Sequence, residues 1–526
     1  TLAFVESLAS LKSRLASDPL YLSGLIRDSL VDNMHRTTLV VIPDIDQQRR
    51  EEEILREKLS RYEGDEWAEK IMERMEKLSR FQDTPESPED VDRIPSLSLE
   101  DLPRVPPIAP SVQTTAGPDV PIHFHDLHTG GIVYIDFAFD ITDLSLEETK
   151  WLSLFRRAVC GSGLPGKGYE KVAQRLSLLT GGFYATMVTN RTLDTKEEKA
   201  YLIFRTKFLE ENTEAALSLI LDLLVSADFD DHSHLSKMVI EQRNNYNSSI
   251  IPSGNYYASL RAGAYLSRSL AFEDAAHGIS QVYFIRDLAS RSGENVVDTA
   301  MALDAVRKKV FSQSRLVLNL TCSSRCLSVI RRFIDSIPDR LPRDLPPAAW
   351  LLSLETLSGN ICESFTLVTK VGFTAMALSV PPYGDPLNAR LGVLTHQLST
   401  AYLWQTVRMR GGAYGAFAHL TGTEGVLIFS SYRDPNIAST FQAYRKGVEE
   451  IRDGILTDSQ LEKTIIGTVG KSEKPETPAK KGFSSFKRTL FGITDELRQK
   501  RRDIILGTGR KALEEDAALI LDRMKD

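Results

Sequence analysis

TGGFYATMV at 180–188 and RGGAYGAFA at 410–418 are the two stretches on which the fold turns. Each opens on a glycine pair and runs into a short alternating segment, the signature of a turn followed by a strand. The same elements follow in both places. After the first come YLIFRTKF (201–208), the helical pattern ALSLILDLLVSA (216–227) and DDHSHLSKMVIE (230–241). After the second come VLIFSSYRD (426–434), STFQAYRKGVEEI (439–451) and LTDSQLEKTIIG (456–467). Two copies of a strand–strand–helix–helix unit in one order imply tandem homologous domains. We place them at 111–345 and 346–526, as α+β domains with antiparallel sheets and helices on one face.

Within this repeat the Gly181-Gly182-Phe183-Tyr184 turn matches Gly411-Gly412-Ala413-Tyr414, so the glycines by themselves have a structural explanation. The copies differ in the residue three places before the first glycine: Leu178 in one, Arg408 in the other. Tyr184 is therefore expected to lack an arginine partner. Arg408 and Tyr414 are the candidate functional pair, with Gly411, Gly412 and Ala413 as a stretch whose backbone can approach a ligand closely.

Upstream, residues 1–33 show short helical patterns, and TTLVVIPD (37–44) reads as a strand closed by Pro43. The start, TLAFVESLAS, lacks an initiator Met and an apolar signal core, and is expected to be a helix entered mid-protein. QQRREEEILREKLSRY (47–62) and DEWAEKIMERMEKLSRF (65–81) are charge-dense helical patterns broken at Glu63-Gly64-Asp65, hence a helical hairpin. Residues 83–110 hold seven prolines and exclude a continuous helix. The domain plan is thus 1–45 as the tail of a preceding domain, 46–110 as hairpin and linker, then the two repeats. In the first repeat GGIVYIDFAFDI (130–141) alternates like a half-buried strand, and Ser145 with Glu148 forms a capping box for the next helix.

At 526 residues the chain exceeds a single core. Its net charge of -7 argues against a nucleic-acid surface, and no apolar run approaches a membrane span. Four cysteines (Cys160, Cys322, Cys326 and Cys362) are too few for a disulfide framework and read as buried or free thiols.

None of the nine histidines lies in H-E-x-x-H or H-x-x-E-H, so no zinc-binding helix of those types is present. His123, His125 and His128 form one cluster, but two histidines on one strand face do not close a tetrahedral site, and they read as exposed strand-edge residues. His232 and His234 read as polar residues at a helix start. GSGLPGKGYEK (161–171) lacks the Ser or Thr a phosphate loop needs after its Lys, and reads as a mobile loop. RQKRR (498–502) reads as a solvated, salt-bridged helix face.

The order NMHRTTLVVIPD, RIPSLSLEDLP, TGGIVYIDFAFD, VRMRGGAYGAF and KGFSSFKRTLFGITDELRQKRRDIIL resembles the C-terminal half of the presequence-protease/falcilysin branch of the pitrilysin-type (inverzincin) zinc metallopeptidases. The resemblance spans essentially the whole chain. It implies four homologous α+β domains in two halves, joined by a helical hairpin and closing around a peptide chamber. It also implies that zinc is bound by an N-terminal half of the same protein, with no metal ligand in this chain. Arg408 and Tyr414 match the family residues that reach the substrate carbonyl at the scissile bond. The implied role is the non-catalytic half of a zinc metalloendopeptidase that degrades short unstructured peptides, including cleaved targeting peptides, in a mitochondrial or plastid-type lumen. The chain alone is then expected to be inactive. A different class of function, a structural or chaperone-like module from a pseudo-peptidase, predicts a degenerate zinc motif upstream.

Overall fold

The computed structural model describes residues 4–62, 64–91, 93–291, 296–343 and 361–525. The chain divides into two units, Thr1–Pro95 and Ser96–Asp526, with the break inside the proline-rich stretch. The expected boundary between the repeats, at 345/346, lies outside the described residues.

The first unit is helical, with helices Phe4–Ser17, Tyr21–Ile26, Gln47–Ser60 and Asp65–Asp83. The latter two form the expected hairpin, and Gly64 supplies its turn at φ +126°, a conformation that side chains resist. TTLVVIPD is not a strand. Residues 37–44 are extended but unpaired, and Leu39, Val40, Val41 and Ile42 are each more than 70% exposed. Its β-branched composition suits a pleated ladder, but a strand exists only against a partner, and none pairs with it among the described residues.

The second unit holds nine strands among the described residues: β1 (Val112–Ala116), β2 (Val120–Asp126), β3 (Ile132–Asp140), β4 (Phe183–Arg191), β5 (Glu198–Leu209), β6 (Leu316–Cys322), β7 (Gly372–Ser379), β8 (Gly415–Thr421) and β9 (Val426–Asp434). Six form one sheet in the order β1-β2-β6-β3-β5-β4, and three form another in the order β7-β9-β8. The antiparallel run β3-β5-β4 and the sheet β7-β9-β8 have one topology, so the repeat extends upstream of the glycine turns. Between the first two strands of each copy lie helices: Leu146–Gly161 and Tyr169–Leu179 in one, Pro386–Gln397 and its continuation to Arg410 in the other. The capping box of the first of these is formed, with Ser145 Oγ accepting from Glu148 N and donating to its carboxylate. One pair, β2 with β6, runs parallel.

Phe137, Phe139, Phe155, Phe204 and Phe272 are fully buried in the first core, and Phe429 and Tyr444 in the second. The other face of the larger sheet is covered as well. Helix Pro478–Leu490 of the second repeat lays Phe486 on it, with Ala138, Tyr201 and Ile203 beneath and Phe491 beside. Fully burying such a ring contributes about 1.5–3 kcal/mol. This explains why β3 is buried without a break from Ile135 to Phe139 where a half-buried alternation was expected.

RQKRR is likewise not a solvated face. On helix Asp495–Leu506, Arg502 is buried and donates to Pro103 O (2.7 Å), Ser472 Oγ (3.0 Å) and the Glu473 carboxylate. Arg498 reaches Pro107 O at 2.8 Å and Gln499 reaches Arg104 O at 3.0 Å. The run clasps the proline-rich segment, whose prolines leave carbonyls without in-segment donors. Gly161–Lys171 is a turn, closed by Leu164 and Lys167 exchanging main-chain bonds and tied through Gly163 O to Asp228 N.

Candidate functional site

The helix before the second glycine pair starts at Asp385, whose carboxylate accepts from Leu387 N at 2.7 Å, with Pro386 in the first turn. It then widens into π-type turns at Leu398–Tyr402 and Trp404–Arg410. Such widening is rare and recurs at functional sites. The first repeat has an ordinary helix here, ending at Leu179.

The glycines end this helix. Gly411 N bonds Thr406 O, Gly412 N bonds Arg408 O and Ala413 N bonds Val407 O, at 3.0–3.1 Å. A Cβ on Gly411 would lie 2.6 Å from Val407 O, and Gly412 has φ +78°. The chain's own geometry therefore demands both glycines. Ala413 is buried in the second core, so its main chain, not its methyl, is what a ligand can meet. Asn436 holds the turn from the next loop, donating to Gly411 O at 2.6 Å.

The turn brings Arg408 and Tyr414 together. The guanidinium carbon of Arg408 is 5.9 Å from the Tyr414 ring centre and 3.8 Å above the Trp404 ring. Tyr414 is 65% exposed and Trp404 44%. The guanidinium has no hydrogen-bond or ion-pair partner among the described residues. Tyr432 of β9 packs its ring edge-on against Tyr414 at 5.7 Å and 82°, and Arg433 lies 5.4 Å over Tyr432 with φ +48°, a strained value for a non-glycine residue. The sequence reading passed over Trp404 and Tyr432. Trp404 stands four residues before Arg408 and was open to inspection, while Tyr432 arrives by strand pairing.

Tyr184 is not the counterpart of Tyr414. Phe204 and Phe429 close matching Leu-Ile-Phe triplets in the two cores, and they pair with Ala185 and Ala418. Counted from that rung, Tyr184 corresponds to Phe417, and Tyr414 lies three residues nearer the strand's start. Nor is Tyr184 without an arginine: Arg205 sits opposite it in the ladder, 5.7 Å from its ring, and is bound to Asp136 at 2.7 Å.

His123 and His125 are buried, not at an exposed edge, because β1 and β6 flank β2 and Phe486 lies 5.3 Å from the His123 ring. Burial pushes His123 down to about 4 and His125 below the usual histidine range. Their neighbour Asp136 is engaged by Arg205 and by Asn319, and no group of three metal-ligating side chains occurs among the described residues. These residues do not fit a zinc ion. His232 opens its helix as expected. His234 stacks on Tyr169 at 3.7 Å and its Nε2 lies 3.0 Å from Gly161 O.

Most of the chain matches known families. Residues 43–288 match the family model described as associated with the M16 peptidases of subfamily C, and 362–526 match the PreP C-terminal domain. The chain belongs to subfamily C of the M16 peptidase family. Within it, the chain is similar to the presequence proteases. It is 28% identical to Presequence protease 1, chloroplastic/mitochondrial, of Arabidopsis thaliana, over 100% of this chain and 49% of that protein. It is 27% identical to the mitochondrial presequence protease of Danio rerio, over 97% of this chain and 51% of that one. The chain spans about half the length of these curated relatives. In fold it is similar to a peptidase M16 inactive domain from Pseudomonas fluorescens, with TM-score 0.53, 13% identity and coverage of 77% of this chain and 94% of that one.

Proposed function

We propose that this chain is the non-catalytic C-terminal half of a zinc metalloendopeptidase that degrades short unstructured peptides, such as cleaved targeting peptides, in a mitochondrial or plastid-type lumen. The observation that carries this reading is the exposed, unpaired Arg408 guanidinium set beside the Tyr414 phenol on a glycine-bounded turn. As a peptide carbonyl is attacked, its oxygen gains charge. Donors fixed in advance stabilise that charge without reorganising, each worth about 10²–10³ in kcat. Arg408 supplies a planar edge of N–H donors and Tyr414 one O–H donor. Zinc, when bound to the N-terminal half, supplies activation of the attacking water. The exposed, unpaired strand-like segment 37–44 supports a partner half, since it presents an apolar edge suited to strand pairing. The names of the curated relatives support the substrate class and the organelle.

Mixing this chain with the N-terminal half of the same protein tests the proposal. Hydrolysis of a fluorogenic peptide is expected only in the mixture. Chelator-sensitive hydrolysis by this chain alone, with one tightly held zinc per chain, contradicts it.

A further inference from the structure

Arginine is a long, flexible side chain, and a free guanidinium in solvent samples many rotamers. A guanidinium held by an ion pair would be ordered, but its in-plane donors would be spent on the partner. Arg408 meets neither condition. Its face lies 3.8 Å from the Trp404 ring, while its N–H edge has no hydrogen-bond or ion-pair partner among the described residues. Stacking on an indole is the strongest cation–π contact among the aromatic residues, and it acts on the face of the guanidinium only. Trp404 itself is 44% exposed, which is unusual for a large ring whose sole task is to fill a core. It stands on the first residue of the widened turn Trp404–Arg410, so ring and guanidinium are carried by one rigid element. Tyr432 bears on Tyr414 from the other side at 5.7 Å.

We propose that Trp404 is a positioning residue for Arg408, fixing the plane of the guanidinium so that its unpaired edge faces the substrate carbonyl. This deepens the reading under Proposed function and rests on it. The indole touches no reacting atom. It acts by removing orientations in which the donors miss the oxygen, and a displacement of about 1 Å is enough to lose roughly a hundredfold in rate.

The test is a double-mutant cycle in the full-length polypeptide, read as kcat and KM on a fluorogenic peptide. Trp404→Leu is expected to lower kcat about tenfold or more with KM little changed, and Trp404→Phe, which keeps an aromatic face, to recover most of the loss. In an Arg408→Ala background, Trp404→Leu is expected to add nothing, because there is no guanidinium left to orient. Losses that multiply, or a Trp404→Phe as damaging as Trp404→Leu, overturn the inference and make Trp404 a packing residue. A silent Trp404→Leu beside a damaging Arg408→Ala overturns this inference alone. A silent Arg408→Ala removes the reading it rests on, and this inference with it.

Discussion

Arg408 is ordered through its face and open at its edge, and this division governs what a substitution does there. A lysine carries the same charge on a compact, strongly hydrated ammonium that neither stacks flat on Trp404 nor offers a planar fork. Arg408→Lys is therefore expected to lower kcat/KM of the assembled enzyme by about 10²-fold, on the scale of a lost oxyanion donor. Steady-state kinetics check it, and a loss below threefold shows that charge alone suffices. The spacing of Arg408 and Tyr414 is readable from the sequence because one tight turn sets it. The pairing of Tyr414 with Tyr184 is misread for a physical reason. Glycine turns align by chain order, but strand residues align by rung, and a three-residue offset puts side chains on opposite faces.

At the scale of elements, local signals survive and long-range ones do not. The Ser145 capping box is legible since it needs only four residues and the hydrogen bonds between them. Ser145→Ala is expected to destabilise by about 1 kcal/mol, seen as a lower thermal midpoint with unchanged secondary structure. By contrast, the burial of β3 and of His123 depends on helix Pro478–Leu490, which comes more than 300 residues later in the chain and leaves no periodicity in those strands. The RQKRR run is misread in the same way. Its charges suggest solvent, but its partners are carbonyls that no sequence pattern announces. Arg502→Met leaves Glu473 without its partner and releases Pro103, at a cost of about 3 kcal/mol for a broken buried pair. Limited proteolysis should then cut within residues 96–107 sooner than in the unsubstituted protein. Unchanged protection would show that the clasp does not hold that segment.

At the scale of the whole molecule, the two repeats meet through the β8–β9 hairpin. Thr423 N donates to Asn190 Oδ1 at 2.9 Å, and the Glu424 carboxylate accepts from Ser267 Oγ. Burial, with Glu198 and Glu273 facing it, raises Glu424 from its ordinary 4.5 to about 8. The folded protein therefore holds this proton more tightly than the unfolded chain. Its contribution is fully present below pH 4.5 and is lost as pH rises through about 8. Glu424→Gln stays neutral throughout, so it is expected to raise the thermal midpoint by roughly 2–4 °C at pH 8 and to change it little at pH 4.5. Equal shifts at both pH values would assign the effect to packing instead of ionisation.

The central claim, that this chain lends its turn at 408–414 to a peptide-cleaving site, is tested most directly by Tyr414→Phe in the full-length polypeptide. The substitution removes one hydroxyl and keeps the ring that packs on Tyr432. The account predicts that kcat falls by about 10²–10³ with KM little changed, because the lost contact forms only in the transition state. Tyr184→Phe, on the other repeat and at a different rung, is predicted to be nearly silent. Comparable losses from the two substitutions, or none from Tyr414→Phe, would make the turn an element of the fold alone and contradict the account.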